Sequence, residues 1–468
     1  MDQNSKNYVF YDLETSGLSK QFDQILQFGG VLTDTDLNEI DRFEVRCQLQ
    51  EHIIPSPMAL QITRVSPSSL VDDSLPTHYE ALRSIYNKLV DWSPAVFFGY
   101  NSISFDEEML RQGFYQTLQP CYLTNTNGNT RGDILRLMHA VYLLAPDVIK
   151  PILDDKGRAR FKLDQLAPRN GFSHQEAHDA MADVGATIHL AKLVLDEAPH
   201  VWDMLLATTS KKSVQEIIGS HAVLMLCGGA RGGGVMSSTA VTACGINPFL
   251  QNQHGVFDLN YDPVKYIDLT VEELRQEIAG NESPIQMLYT NRQPILVPIE
   301  DTPGHLLPNE VTQEEHFEKA RLVNENTDFR RRVSVAMADD SSNEDEVLEE
   351  VELQIYDGFA GNGDSSLMGK FHKVDWPERI EILRALEDTR MKRIAQRLIY
   401  FERPNLLSNK VQANMRDKIK ARLTAAEDVP WRTFEVATSE LEKISATANN
   451  EQRKSFVKAC ESFLVSRR

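Results

Sequence analysis

The chain has 468 residues, a formal net charge of −19 and 41% hydrophobic residues, a composition typical of water-soluble globular proteins. At this length a single hydrophobic core has usually stopped growing, so we expect two or three domains. No segment approaches the roughly 18 consecutive apolar residues of a membrane span, and the first residues lack the pattern of a secretory signal. We therefore expect a cytoplasmic protein with no membrane partner.

Charge is distributed unevenly along the chain. The net charge argues against a nucleic-acid partner, because such proteins usually present a basic surface. Part of it lies in an acidic run over 339–352, which is typical of a solvated, mobile linker. Residues 391–422 contain few acids and offer a local basic face, formed by Lys392, Arg393, Arg397, Arg403, Lys410, Arg416, Lys418, Lys420 and Arg422.

The five cysteines are odd in number and widely spaced, which favours neither disulfides nor a structural zinc site. Without a long exposed apolar stretch to suggest a partner surface, we expect a monomer.

The N-terminal region alternates between predicted strands and helices. Short apolar runs rich in Val, Phe, Tyr and Ile indicate strands, and the first three would form an antiparallel meander. A helix ending before Pro199 has Asp179 as a plausible N-cap. Such alternation predicts an α/β domain over 1–197. Its predicted elements are strands at 8–14, 25–32, 43–47 and 95–100, and helices at 79–90, 106–116 and 174–197.

The remainder of the chain shows two different patterns of apolar residues. Residues 215–300 carry short apolar runs divided by Gly, Pro and Asn, which predicts a small β domain, followed by a helix that begins at the capping-box pattern Thr312-Gln313-Glu314-Glu315. From 353 onward the pattern is amphipathic and helical. We therefore predict three domains, at 1–197, 198–350 and 351–468.

Two carboxylates emerge from the first predicted strand. Asp12 and Glu14 are two residues apart in an apolar segment, and because strand side chains alternate, both lie on one face. Placing like charges together there is costly unless a cation compensates. Taken alone, such a pair is common on exposed strands and is weak evidence for a site.

Two further acids and a histidine lie farther along. Asp106 begins a predicted helix just after a buried strand, where it can also be explained by the helix dipole. Asp183 lies on an otherwise apolar helix face, where an unpaired carboxylate is disfavoured. His178 stands at the start of the same helix, where histidines are usually solvated or structural.

Together these residues predict a metal-dependent hydrolase. Hard oxygen ligands suit Mg²⁺, with Mn²⁺ as an alternative, rather than zinc. Two such ions can activate a water and stabilise the leaving oxygen of a phosphodiester. His178 is the candidate general base, because the reference pKa of histidine is close to neutral.

The order Asp-x-Glu-Thr, Gly-Tyr-Asn followed by Asp, and His-x-x-x-x-Asp resembles the DEDD exonucleases that carry histidine in the last motif. Residues 177–184 and 354–359 are similar to segments of the bacterial exodeoxyribonuclease I family, so the resemblance covers nearly the whole chain. It implies a ribonuclease H-like exonuclease domain, a Src-homology-3-like barrel and a helical domain that enclose the strand. Metal ligands Asp12, Glu14, Asp106 and Asp183 and the base His178 are implied as well.

By the same resemblance we expect processive 3′→5′ release of 5′-mononucleotides from single-stranded DNA in repair and recombination, with single-stranded DNA-binding protein as a possible partner. Glu14 and Lys162 are expected to contact the substrate, Arg111 a phosphate, and Tyr122 a base. The residues after Tyr122 are not aromatic, unlike those of the family.

Three alternatives remain open. An RNA-trimming DEDD exonuclease would use the same chemistry, although such chains are short. A catalytically inactive nucleic-acid scaffold would lack a ligand, and none is missing. A metal-dependent phosphatase would have no use for a basic helical domain.

Overall fold

The structure is a computed structural model of the chain. It describes residues 6–173, 179–229, 236–280, 282–307, 312–338, 349–426 and 428–468. The strands are β1 Asn7–Thr15, β2 Ile25–Thr33, β3 Glu39–Arg46, β4 Ala95–Gly99, β5 Thr130–Asp133, β6 Ile152–Leu153, β7 Ala159–Arg160, β8 Leu224–Gly229, β9 Met236–Ile246, β10 Gln253–Asp258, β11 Ile285–Tyr289 and β12 Ile295–Pro298.

The helices account for most of the remaining described residues. They are α1 Pro57–Ile62, α2 His78–Asp91, α3 Asp106–Gln116, α4 Ile134–Leu144, α5 Leu163–Arg169, α6 Ala180–Glu197, α7 Pro199–Ala207, α8 Lys211–Ser220, α9 Val271–Ala279, α10 Gln313–Glu325, α11 Thr327–Met337, α12 Asn362–Phe371, α13 Trp376–Ala385, α14 Thr389–Glu402, α15 Asn409–Leu423, α16 Phe434–Ala446 and α17 Glu451–Ser466. Short 3-10 segments, including Val351–Tyr356, lie between them.

The N-terminal region forms a five-stranded sheet in the order β3-β2-β1-β4-β5. β1, β2 and β3 are antiparallel, as the predicted meander requires, whereas β4 and β5 run parallel to β1. The crossover from β3 to β4 contains α2, since a parallel connection cannot be made by a tight turn. Helix α6 packs on β1 and β2. The predicted α/β architecture is therefore confirmed.

A second sheet has the order β11-β10-β9-β8-β12, and every neighbouring pair is antiparallel. Helices α9, α10 and α11 pack beside it. The capping box at Thr312 is confirmed, because its side chain accepts from the Glu315 backbone N–H and Glu315 caps Thr312 in return. Within the described residues β11 and β12 remain the two edges of an open sheet, so the predicted closed barrel is not confirmed.

Helices α12 to α17 form the C-terminal region, as predicted. The 3-10 segment Val351–Tyr356 fastens them to the N-terminal sheet region: Tyr115 donates to the Val351 carbonyl at 2.9 Å and Gln112 to the Glu352 carbonyl at 2.8 Å, both from α3. In the part of the chain that the structure describes, no helix has the length and apolar character needed to cross a membrane.

The C-terminal end of the acidic run is buried, whereas the prediction was a solvated linker. Residues 339–348 of the run lie outside the described part of the chain, but Glu352 is only 1% exposed. Its carboxylate accepts from Arg397 at 2.7 Å and from Arg422 at 2.9 Å. The expectation of a solvated linker is therefore wrong at this end, because two partly buried guanidinium groups attract the carboxylate.

Candidate metal centre

Three carboxylates converge where β1 meets α6. One oxygen from each of Asp12, Glu14 and Asp183 lies within 4.8 Å of the other two. Strand alternation puts the first two on one face, and Asp183 reaches them from the first turn of α6. Such a set of hard oxygen donors fits a divalent cation.

Asp106 completes the wall of the same cavity, which has a volume of about 510 Å³. It begins α3 and is 6% exposed. Burial raises the pKa of Asp106 to about 7, although the backbone N–H groups of Asp106 and Leu13 act in the opposite direction. Because the Leu13 N–H lies between Asp12 and Glu14 in the chain, this contact places Asp106 against β1.

The carboxylates oppose one another's ionisation. Burial, followed by the charge of Asp183, raises the pKa of Glu14 to about 9. Burial and then the charge of Asp106 hold the pKa of Asp12 well above its ordinary value. Perturbed carboxyl groups clustered in a cleft are typical of functional sites, and a bound cation would relieve this repulsion.

The Gly-Tyr-Asn segment shapes the loop that leads to Asp106. A Cβ atom at Gly99 would lie 2.6 Å from the Ser102 Cβ, so only glycine fits there. Asn101 has a left-handed backbone with a φ of 60°. The carboxylate of Asp133, at the end of β5, accepts from the backbone N–H groups of Asn101 at 2.8 Å and Ile103 at 3.3 Å. These contacts fix the loop beside the carboxylates.

The last motif contains the predicted helix cap Asp179 and the predicted general base His178. Asp179 caps α6, as expected, by accepting from the backbone N–H groups of Met181 and Ala182. His178, the predicted general base, lies outside the described residues, so its role stays a prediction. It directly precedes Asp179 in the chain.

Lys162 lines a second cavity, of about 570 Å³, that shares Tyr100, Asn101 and Asp183 with the first. Its side chain is exposed. Arg158 and Arg160 line the same cavity, and both bond to Asp154. These two arginines were not predicted, although the alternation of Arg158, Arg160 and Lys162 places three cations on one side of an extended segment.

Arg111 is paired with two carboxylates of its own helix, Glu107 and Glu108. It is 6% exposed and donates to Glu108 at 2.6 Å, and it also bonds to Glu107 and to Tyr356. Its position on α3 puts it within one turn of both acids. Arg111 thus joins α3 to the 3-10 segment Val351–Tyr356, and its predicted contact with a phosphate stays a prediction.

Tyr122 packs in an aromatic group that the sequence analysis did not foresee. The Arg111 guanidinium lies 4.9 Å from its ring centroid, and the ring of Phe359 lies at 5.8 Å. Phe359 is 84% exposed, which is unusual for a phenylalanine. An exposed ring beside Tyr122 therefore comes from a segment more than 200 residues farther along the chain, which no local pattern can reveal.

The predicted basic face is partly used inside the protein. Arg397 and Arg422 bond to Glu352, and Arg393 donates to the Glu349 carbonyl at 2.8 Å. Exposed cations remain along α15, where they are Lys410, Arg416, Lys418 and Lys420.

Comparison with known families agrees with this arrangement. Residues 9–191 match a family model described as exonuclease, and residues 349–466 match the exonuclease I C-terminal domain. The fold and the carboxylate cluster thus define a nuclease of the metal-dependent exonuclease class. The exonuclease domain and the exonuclease I C-terminal domain occur together in this chain, and both matches support its recognition as a bacterial exodeoxyribonuclease I.

Individual relatives cover most of the chain. Exodeoxyribonuclease I of Haemophilus influenzae is 28% identical over 92% of this chain and 89% of its own length. The Escherichia coli protein of the same name is 27% identical over 77% of this chain and 78% of its own.

Solved structures share the fold. E. coli exonuclease I in complex with a dA16 oligonucleotide has a TM-score of 0.86 at 23% identity, over 99% of this chain and 100% of that one. Exonuclease I of Methylocaldum szegediense has a TM-score of 0.85 at 23% identity, over 99% of both chains.

Proposed function

We propose that this chain is a processive 3′→5′ exonuclease of single-stranded DNA that releases 5′-mononucleotides and acts in DNA repair and recombination. The carrying observation is the approach of Asp12, Glu14 and Asp183 to within 4.8 Å in a domain of the exonuclease family. The family membership of both ends of the chain supports the choice of DNA over RNA, because a short RNA-trimming chain would not carry the C-terminal domain.

We infer that the metal is Mg²⁺, held as two ions, with Mn²⁺ able to replace it. Asp12, Glu14, Asp106 and Asp183 are the residues that would hold it. When bound, such ions lower the pKa of a water and neutralise charge on the leaving oxygen. One similar structure is described as a zinc-bound form of E. coli exonuclease I with single-stranded DNA, which supports a divalent-cation site in this fold without selecting the metal.

The remaining roles fall to residues around the carboxylates. His178 would take the proton of the attacking water, and Glu14 would also contact the substrate. Lys162, exposed beside Asp183, would bind a phosphate. Tyr122 and Phe359 offer aromatic surface for stacking of bases, which tolerates any sequence. Leu18 is 80% exposed and lines the cavity that contains the carboxylates, where it would add an apolar contact for the terminal nucleotide.

Partners and architecture follow the family. Similar structures are described as E. coli exonuclease I with oligonucleotides and with SSB, and we infer that this chain likewise binds single-stranded DNA and single-stranded DNA-binding protein. We also propose the division into 1–197, 198–350 and 351–468, a Src-homology-3-like character for the second sheet, a monomeric state and a cytoplasmic location.

Two substitutions test the assigned chemistry. Asp183→Asn should abolish cleavage of a single-stranded oligonucleotide, because one metal ligand is lost, while circular dichroism stays unchanged. His178→Ala should lower kcat by roughly 10²–10⁴ with KM little changed, the usual contribution of a general base. Retained cleavage by Asp183→Asn would refute the metal assignment, and the loss of mononucleotide release on chelation of Mg²⁺ in the unaltered protein is the matched control.

A further inference from the structure

β2 pairs with β1, which carries Asp12 and Glu14, and it also packs against α6, which carries Asp183. In its register with β1, Gly29 stands opposite Asp12 and Gln27 stands opposite Glu14. Helix α6, which carries Asp183, rests directly on this strand: a Cβ atom at Gly29 would lie 2.9 Å from the backbone of Ala180 and Met181. The same two positions of β2 therefore face the strand that carries two carboxylates and the helix that carries the third.

Gln27 bonds to the first turn of α6. It is only 2% exposed, and its Nε2 donates to Glu44 Oε1 at 2.8 Å and to Asp179 Oδ2 at 3.0 Å. Its Oε1 accepts from the Ala180 backbone N–H at 3.5 Å. One neutral amide thus links two carboxylates and the start of the helix.

Arg46 closes this network into a ring. Its Nη2 donates to Asp179 Oδ2 at 2.5 Å, and its Nε to Glu44 Oε1 at 3.4 Å. The other oxygen of Asp179 accepts from the backbone N–H groups of Met181 and Ala182. Asp179 therefore ties the helix start to β2 through Gln27 and to β3 through Arg46.

The ring opposes the force that acts on the cluster. Asp12, Glu14, Asp106 and Asp183 repel one another, and this repulsion acts to move α6, with Asp183, away from β1. The ring supplies a cation and a donor at the point where α6 begins, one turn before Asp183. Residues that orient metal ligands in this way typically change metal affinity by about 10–100-fold when they are removed.

We propose that Gln27, together with Arg46, is a positioning residue that holds Asp183 at its distance from Asp12 and Glu14 and so sets the affinity for the divalent cation. This inference rests on the proposed function, because it needs the cluster to be a metal site. It predicts a loss of metal affinity without a loss of DNA affinity, which a purely structural role would not produce.

Metal binding is tested without DNA. The variants are Gln27→Met, which keeps the length of the side chain but loses its donor and acceptor, and Arg46→Gln, which removes the cation. Arg46→Lys tests rescue by charge. Arg42→Gln is the matched control, because Arg42 lies on the same strand but pairs only with exposed Glu39. The readout is the rise of the melting temperature during titration with MgCl₂ or MnCl₂, which gives an apparent dissociation constant.

We expect Gln27→Met and Arg46→Gln to weaken metal binding, so that the apparent dissociation constant for the metal rises about 10-fold. The Mg²⁺ concentration for half-maximal cleavage should rise by a similar factor, with KM for the oligonucleotide unchanged at saturating metal. Arg46→Lys should recover most of the affinity, and Arg42→Gln should lose none. If Gln27→Met does not fold, Arg46→Gln, at the partly exposed side of the ring, carries the test.

Two outcomes overturn the inference in distinguishable ways. Variants that melt at lower temperature in chelator but bind metal within twofold of the unaltered protein would show that the ring only stabilises the fold. An unaltered protein whose melting temperature does not respond to either metal would contradict the metal site itself, and the proposed function would fail with it.

Discussion

Individual residues of the candidate metal centre stand out in the sequence because each is locally unusual. Asp12 and Glu14 share a face by strand alternation, and Asp183 stands out as an acid on an apolar helix. The contact of Arg111 with Tyr356 could not be predicted, since the two residues lie 245 positions apart in the chain. Local patterns show which residues are unusual, whereas the partner that explains them comes from the tertiary fold.

The raised pKa of Glu14 predicts how the metal-free protein responds to pH. Its carboxyl group has a folded pKa of about 9 against an ordinary value of 4.5. A raised pKa of an acid means that the folded state binds the proton more tightly, so this contribution to stability is complete below about pH 4.5 and is lost as the pH rises toward about 9. We expect the melting temperature in chelator to fall over this range.

Calorimetry at a series of pH values, with chelator or with Mg²⁺, measures this effect. Bound Mg²⁺ should raise the melting temperature more at high pH than at low pH, and Glu14→Gln should make the fall in chelator shallower. A melting temperature in chelator that falls equally in Glu14→Gln and in the unaltered protein would show that Glu14 is not its source.

At the scale of elements, the structure agrees closely with the sequence where periodicity is strong. The helix predicted at 106–116 has the predicted bounds. The third strand begins at Glu39 rather than at residue 43. The prediction missed this start because three of the four added residues, Glu39, Asp41 and Arg42, are polar, and the fourth, Ile40, is 53% exposed. Such an edge segment gives no apolar signal.

The segment around Glu352 was the clearest error at this scale. An acidic run is solvated unless cations meet it, and the cations here come from α14 and α15. Burial alone would raise the pKa of Glu352, but Arg397 and Arg422 outweigh it and lower the pKa to about 2. Stability from this group is therefore present above about pH 4.5 and is lost as the pH falls toward about 2.

Removing this carboxylate should loosen the C-terminal helices. Glu352→Gln leaves two partly buried guanidinium groups without the charge of their buried anion, and we expect a loss of about 3–5 kcal/mol in the free energy of unfolding. Urea denaturation measures the change. Glu381→Gln, which breaks an exposed pair with Arg384, should cost less than about 1 kcal/mol. Equal effects of the two variants would contradict the role assigned to Glu352.

At the scale of the whole molecule, the net charge of −19 was a poor guide to the partner. Clustered carboxylates and an acidic run account for part of it, while exposed cations along α15 and beside Asp183 stay available for phosphates. The order of the sheets and helical regions along the chain could be predicted from the pattern of apolar residues and from the resemblance to the exonuclease family. Whether the second sheet closes could not be predicted, because closure depends on edge-strand pairing that composition does not encode.

The direction and substrate of cleavage test the central claim most directly. DNA labelled at the 3′ end or at the 5′ end, single-stranded or double-stranded, is incubated with the protein in Mg²⁺ or in chelator. We predict immediate release of labelled mononucleotide from 3′-labelled single strands, a late release from 5′-labelled ones, little attack on duplex and none in chelator. Early release from the 5′ end, or equal degradation of duplex, would contradict a 3′→5′ exonuclease of single-stranded DNA.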